Sequence, residues 1–487
     1  MREELPRGWA ACTVRDVVES AQAGFASGEK NVDRGIAHLR MNNIGVNGEL
    51  VLDLVRHVPS SLRKEQYELR SGDVLVCTTN SGKLVGKSTY FDLDGLYCFS
   101  NHITRLRPNR SIVNGQLLQL SLWLSWKLGA FDEKCKNWVN QSTLPKEDLL
   151  DTTILLAPLN EQSRIVTQLN AAMGKVTDCQ ARLAQIPAFI RRFRQSVLEA
   201  ACSGRLTADW RDEHSDVIAH HSRTTYSQAD VNIEEITDTP EGWIWAALNS
   251  VCDPNRSICY GVIKLGFEHK HGIPCLRTSD VRPLRIDTAS VKHIDPLISG
   301  QFGRTVLCGG EVLVNVRGTL GGVAVVPVEL RGWNISREVA VVPVSTANPE
   351  YVAYWIASLP AQKWLTAVVK GVAYSGINIE DLRQLPVALP SMAEQDEVVL
   401  RVKSLLALAD KIETRYKAVQ QQVDRLPQCI LAKAFDGELV PTEAQLAERE
   451  DRTYESAEQL LVRIRSEKTW AVSNNEKPKK KQIRNAR

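Results

Sequence analysis

The sequence predicts an α+β protein in which two similar mixed domains are joined by two long antiparallel coiled-coil helices with pseudo-two-fold symmetry. Three observations predict it. The chain has 487 residues, 43% of them hydrophobic and 24% charged, which at roughly 150 residues per domain is more than one core can use. Short phrases recur about half a chain apart. An apolar seam of helical period also recurs, at a constant offset.

The repeated phrases come first in chain order. Pro6-Arg7-Gly8-Trp9 returns as Pro240-Glu241-Gly242-Trp243, Ile36-Ala37-His38-Leu39-Arg40 as Ile273-Pro274-Cys275-Leu276-Arg277, and Gly72-Asp73-Val74-Leu75-Val76 as Gly310-Glu311-Val312-Leu313-Val314. Their separations drift from 234 to 237 and 238 residues, as loop insertions require. From Glu161-Gln162 and Glu394-Gln395 onward the separation stays at 233. A helix cannot absorb an insertion without turning its apolar face away from its partner.

The first seam runs through Ile165, Leu169, Ala172, Val176, Cys179, Leu183, Ile186, Ile190, Phe193 and Val197. The second runs through Val398, Val402, Leu405, Ala409, Ile412, Tyr416, Val419, Val423, Leu426 and Ile430. Both follow a 4-3 spacing, the signature of a heptad. The first helix carries the chain from domain one to domain two, so a duplicate packed on it must run back. Pro187 and Pro427 fall inside the two patterns and are expected to kink or locally unwind them. Gly204 and Gly437 stand where left-handed caps are expected.

The expected organisation is domain one over 1–158, spacer helix one over 159–206, a polar linker over 207–238, domain two over 239–390, spacer helix two over 391–440, a C-terminal helical segment over 441–472 and a basic disordered tail over 473–487. Within domain one a β-rich run lies at Asp73–Cys77 and a Trp-rich helix near Leu122–Trp126, which Tyr351–Trp355 repeats in domain two.

Composition excludes several classes. Sixty Lys and Arg against 57 Asp and Glu leave a net charge of +3, too little for a polycation that grips phosphate with its whole surface. Any nucleic-acid face must be local. The 11 cysteines are scattered and never spaced C-x-x-C, so neither a disulfide framework nor a zinc ribbon is indicated. A cytoplasmic protein is expected, with no signal peptide and no membrane span.

Enzymatic motifs fail on inspection. Gly82-Lys83-Leu84-Val85-Gly86-Lys87-Ser88 is one residue short of a phosphate-cradling P-loop, and β-prone sequence follows where a helix is needed. Asp253-Pro254-Asn255-Arg256 lacks the second proline and ring of an adenine clamp and reads as a turn. Neither His220-His221 nor His269-Lys270-His271 has a third ligand or helical i, i+4 spacing for a metal. No catalytic and no metal-binding residue is assigned, and no cofactor is expected on this chain.

Direct readout of DNA needs Arg or Lys for guanine, Asn or Gln for adenine, and small hydroxyls beside either. In turns beside the repeated strands, such residues are Arg40, Asn42, Asn43, Thr79, Asn80, Ser81 and Lys83 in domain one. In domain two they are Arg277, Thr278, Ser279, Arg317, Thr319, Ser336 and Arg337. Shared frameworks with different turns suit a scaffold that reads two different words. A non-DNA adaptor joining two proteins is the alternative, and it would need exposed apolar anchors on the domains.

The doubled Pro-x-Gly-Trp starts, the Gly-Asp-Val-Leu strand, Leu159-Asn160-Glu161-Gln162 with Met392-Ala393-Glu394-Gln395, and Gly204-Arg205-Leu206-Thr207-Ala208-Asp209-Trp210-Arg211 together resemble the specificity subunit of a type I restriction-modification system. The resemblance covers almost the whole chain. It implies a non-catalytic subunit with two target-recognition domains that bind a bipartite asymmetric sequence in double-stranded DNA and dock two methyltransferase subunits, with restriction subunits added for cleavage. S-adenosylmethionine, ATP and Mg are then expected on the partner subunits. Glu455–Arg465 is similar to the C-terminal region of members that share one methyltransferase partner family.

Overall fold

The structure, a computed structural model, describes residues 4–28, 31–137, 141–214, 239–318, 321–370 and 376–475. Helix and sheet are both present throughout, as an α+β chain requires. The chain divides into two compact units, one formed by Met1–Arg182 with Val419–Arg487 and the other by Leu183–Ala418. Each unit therefore takes a head, the start of the helix that follows it and the end of the other long helix.

In unit one the head carries an antiparallel sheet in the order Val18–Ala23, Ile103–Pro108, Val74–Cys77, Ser88–Tyr90. A second sheet sets Ile36–Leu39 between Arg56–Val58 and a parallel neighbour, Tyr97–Phe99. Val74, Leu75, Val76 and Cys77 are all buried, so this strand reads as a continuous apolar run because both its faces meet core. The helix Gly115–Lys127 is capped by Asn114, whose side chain accepts from the Gln116 and Leu117 amides. The first strand, Ala10–Thr13, pairs with the last, Thr153–Leu156.

Unit two repeats this wiring. Cys259–Tyr260, Val339–Val342, Val312–Asn315 and Val323–Val325 form the four-stranded sheet, and Ile273–Leu276 lies between Lys292–Ile294 and the parallel strand Asn334–Ile335. Ile244–Ala247 closes on Pro386–Leu389. The helix Pro349–Ala357 is capped by Asn348 in the manner of Asn114.

A carboxylate marks the turn before each central strand. Asp73 accepts from Nε and Nη2 of Arg107, each at 2.8 Å, and Glu311 pairs with Arg256 at 2.7 Å while accepting from the Cys308 amide. Burial pushes the Glu311 carboxyl up, but Arg256 and the backbone donors outweigh it and hold it below its ordinary value of 4.5. A depressed carboxylate stabilises the fold above its unfolded pKa, and that contribution is lost as pH falls through the folded pKa. The melting temperature of the wild type is therefore expected to fall more steeply below pH 4.5 than that of Glu311→Gln. Parallel melting curves at pH 3–6 would contradict this.

The chain enters each long helix through the same buried pair. Trp9 Nε1 donates to Glu161 at 2.8 Å and Trp243 Nε1 to Glu394 at 3.1 Å. Gln162 accepts the Asn114 amide and Gln395 the Asn348 amide, tying helix start to head. The repeated tryptophans and Glu-Gln pairs are thus one device, a buried carboxylate that anchors the helix.

The first long helix runs Leu159–Leu183, breaks, and resumes at Ile186–Cys202 with Pro187 in its first turn, where a missing N–H costs nothing. The second, Met392–Phe435, continues through Pro427 without an interruption, contrary to any local unwinding there. Within unit one Gln180 donates to Asp424 at 3.3 Å, and Ile165 and Leu169 share a core with Leu431 and Ala434. Within unit two Arg194 reaches Asp410 at 2.6 Å and Glu413 at 2.8 Å, and Val197 packs with Val398 and Val402. Low numbers on one helix meet high numbers on the other, so the segments are antiparallel within each unit.

The seam is not uniformly buried. Phe193, Ile412, Val419 and Leu426 keep 36%, 44%, 41% and 41% of their surface. A two-helix seam covers such side chains only partly. Deep burial occurs where a head also packs, as at Ile165 in one core with Trp9 and at Val402 in one with Trp243, and also along the helices at Val176, Ile190, Ala409 and Val423.

The linker expected from Thr207 begins later. Thr207 is fully buried, donating to Glu394 at 2.8 Å, and Ala208–Glu213 is helical. His220, His221 and the rest of 215–238 lie outside the described residues, as does the basic tail from 476. The C-terminal segment forms helices Glu443–Arg449 and Ala457–Asn475. Among the described residues no helix is long and apolar enough to cross a membrane.

Candidate nucleic-acid interface

Each head carries a cleft beside a segment that crosses the ends of two parallel strands. In head one the parallel strands Ile36–Leu39 and Tyr97–Phe99 run out at Arg40 and Ser100, and Phe25 bridges to Ser100. In head two the equivalent strands run out at Arg277 and Ser336, and Val262 bridges to Ser336. The bridging segment can cross so closely only because glycine precedes it. A Cβ on Gly24 would stand 2.1 Å from the Phe99 carbonyl oxygen, and one on Gly261 would stand 1.9 Å from that of Ile335.

Cleft one has a volume of about 270 Å³ and is lined by His38, Arg40, Asn42, Arg56, Ser100 and His102, among others. His38 is 2% exposed, its ring 5.0 Å from that of Phe25. Burial, then Arg40 and Arg56, hold its pKa below the ordinary histidine value despite the nearby Phe25 and Phe99 backbone. Neither ring nitrogen makes a hydrogen bond of acceptable geometry, and the same holds for Arg40 Nε and Ser100 Oγ.

Cleft two is larger, about 830 Å³, and presents Tyr260, Gln301, Arg304, Thr305, Arg317 and Arg337. Tyr260 is fixed by donating to the Ile377 carbonyl and accepting the Ile379 amide, and the Arg317 guanidinium lies 5.6 Å from its ring. That stacking pre-orients a long side chain that would otherwise lose rotamer entropy on binding.

The sequence-derived candidates divide between these clefts and other places. Arg40 and Asn42 line cleft one, and Arg317 and Arg337 line cleft two. Thr79 and Asn80 form a short strand against Ser142–Thr143, with Ser81 and Lys83 exposed beside it. These four make a separate polar patch outside the cleft lining. Thr278 is half-buried and Ser279 exposed.

Three candidates need correction. Asn43 is buried, accepting the Arg40 amide and donating to the carbonyls of Val51 and Leu54, so it caps a turn instead of facing a base. Arg277 is tied to Asp280 at 3.2 Å and to the Ser290 carbonyl at 2.7 Å, and the Ser279 hydroxyl also donates to Asp280. Ser336 is 3% exposed and its hydroxyl lacks a partner. Thr319 lies outside the described residues.

The rejected motifs resolve plainly. Lys87 is buried and donates to the Ile44 carbonyl, leaving no free P-loop lysine. Asp253 caps its own turn by accepting the Asn255 amide.

His38, Arg56, Ser100 and His102 were missed, as were Tyr260 and Arg304. A signal for Ser100 existed: displacing Ser336 by 236 residues lands on it, inside Phe99-Ser100 against Ile335-Ser336.

Comparison with known proteins decides the family. Residues 262–421 match the type I restriction modification DNA specificity domain. The EcoKI specificity subunit of Escherichia coli K12 is 30% identical over 494 residues, covering 98% of this chain and 99% of that one. The EcoBI specificity subunit of Escherichia coli is 35% identical over 344 residues, covering 70% of this chain and 69% of that one. The chain belongs to the type I restriction specificity subunits. As a specificity subunit it is a non-catalytic component of a type I restriction-modification system, and the adaptor alternative is set aside. The fold agrees. The HsdS subunit from Thermoanaerobacter tengcongensis superimposes with a TM-score of 0.56 at 19% identity, over 89% of this chain and 98% of that one. A chain solved in work on complex assembly and conformational transition of the type I R-M system gives 0.61 at 19% identity, over 90% of this chain and 100% of that one.

Proposed function

We propose that the two heads of this specificity subunit are target-recognition domains, each reading one half of a bipartite, asymmetric double-stranded DNA sequence. In this reading the two long helices form an antiparallel coiled coil with pseudo-two-fold symmetry that joins the heads and offers docking surfaces for two methyltransferase subunits, with restriction subunits added for cleavage. S-adenosylmethionine, ATP and Mg belong to those partners, and the assembly works in the cytoplasm. The domain limits are those expected from the sequence, with head-to-helix junctions near 158 and 390.

One observation carries the reading. Each head carries an arginine-bearing cleft beside its glycine-led crossing segment, without a carboxylate among its described lining residues, and the two clefts differ in size and lining. A repeated framework with a cationic cleft suits two copies of one DNA-facing surface, and the divergent polar turns, Thr79 to Lys83 in head one and the turn at Arg317 in head two, suit two words. Base contacts specify, whereas phosphate contacts position.

The test is co-expression of the full chain with a methyltransferase subunit of its own system, followed by methylome sequencing. A two-part asymmetric motif with a fixed gap is expected. A continuous motif, or a palindromic one, would overturn the proposal.

A further inference from the structure

We infer that cleft one holds a phosphodiester group of the bound DNA, gripped by Arg40, Arg56 and Ser100, so that it sets the register of head one without reading a base. The inference rests on the DNA-binding role proposed above and assigns one part of the surface to one chemical group.

Unmet hydrogen-bonding capacity is the first support. The hydroxyl of Ser100 and Nε of Arg40 are buried without a partner beside one small space. Buried polar atoms left unpaired are costly, and two beside one cleft mark a place where a ligand completes the structure. At about 270 Å³ the cleft falls just below the ordinary range of small-molecule pockets and suits a compact oxyanion.

Charge is the second support. Among the described residues neither Arg40 nor Arg56 has an ion-pair partner, and burial followed by the Arg56 charge lowers the pKa of Arg40. The contrast with head two is specific. There the residue equivalent to Arg40 is Arg277, and the residue that caps its turn is Asp280, which also neutralises it. Head one keeps the cap but uses Asn43, whose side chain accepts the Arg40 amide and carries no charge. Replacing the carboxylate by an amide leaves the turn intact and the arginine unneutralised.

The chemistry favours phosphate over a base edge. A phosphodiester offers only acceptors and one negative charge, which two guanidiniums and a hydroxyl match. A base edge mixes donors and acceptors and would leave both arginines without a counter-charge, whereas the phosphodiester supplies one.

Methylphosphonate scanning of the target DNA tests this, using the full chain assembled with its methyltransferase subunits. Each phosphate of the head-one half-site is replaced singly by the neutral analogue. One position is expected to cost the wild type about tenfold or more in affinity, as for a lost hydrogen bond to a charged group. That position should add no further cost in Arg40→Gln, in Arg56→Gln or, more weakly, in Ser100→Ala. Ser100→Ala removes a hydroxyl that has no partner in the fold, so it keeps the test independent of folding. The slope of log affinity against log salt should fall by about 0.9 in the arginine variants, with the recognised letters unchanged.

Altered letters in the half-site would make the cleft a base reader and overturn the inference. So would methylphosphonate costs that add to those of the variants at every position. If inorganic phosphate alone stabilises the wild type but not Arg40→Gln against heat, while both bind DNA equally, the cleft is a free-anion site and the DNA assignment falls. A wild-type complex that ignores DNA would sink the proposed function and this inference together, whereas the other outcomes sink this inference alone.

Discussion

Replacing Arg211 by alanine is expected to destabilise unit two by about 3–5 kcal/mol, the cost of leaving a buried charge without its partner. Glu394 is 1% exposed and carries three donors: Arg211 at 2.5 Å, Thr207 at 2.8 Å and Trp243 at 3.1 Å. Arg211 is the one cation among them. It also donates to the Gly204 carbonyl at 2.6 Å and lies 6.0 Å from the Trp243 ring. Its loss therefore releases the turn after the first long helix together with the start of the second. The double variant Arg211→Ala, Glu394→Gln should recover much of the loss, because the orphaned charge is gone. Chemical denaturation of the wild type and the two variants measures this, and a cost below about 1 kcal/mol, the level of an exposed pair, would contradict it.

Ending the chain after Glu455 is expected to destabilise unit one by on the order of 5 kcal/mol. Leu460, Leu461 and Ile464 belong to the core of head one together with Val14, Val76 and Leu149, and each such side chain is worth about 1.5–3 kcal/mol when buried. The Ala457 amide donates to the Gly8 carbonyl at 2.9 Å, and Arg465 pairs with Asp16 at 2.8 Å. Head one is thus finished by the far end of the chain. Leu460→Ala alone should cost about 2–5 kcal/mol. Unit two has none of these contacts, so a two-step melt with only one transition lowered is the expected record. A melt unchanged by the truncation would show that the helix merely lies against the head.

Why some of this was legible and some not follows from what a repeat can record. Trp9 with Glu161 and Trp243 with Glu394 sit at constant places because the helix start cannot shift without breaking a buried hydrogen bond, so the framework is written twice. The C-terminal helix is written once, and nothing in a duplicated pattern points to its partner. Residue type alone misled at Asn43 and Arg277: both look like base readers, yet each serves the turn that ends a strand, in one case as cap and in the other as partner of the cap. Pro187 and Pro427 look alike in sequence. Pro187 follows a break and takes a first-turn position, whereas Pro427 is carried inside a helix whose neighbours Val423 and Leu431 are buried. Periodicity does not register which of the two applies. His38 falls in a strand whose pattern reads as core, and only its place in the lining of cleft one distinguishes it from a packed histidine.

The central claim, that the two heads read independently, is tested most directly by the methylome of Arg317→Ala beside that of the wild type, each co-expressed with its methyltransferase subunit. Arg317 lies in cleft two, oriented by Tyr260, and losing a base contact costs about 1–3 kcal/mol of discrimination. The predicted result is a motif relaxed at one or two positions of a single half, with the other half and the gap unchanged. Changes in both halves, or a uniform loss at every site with all letters kept, would contradict independent reading through Arg317.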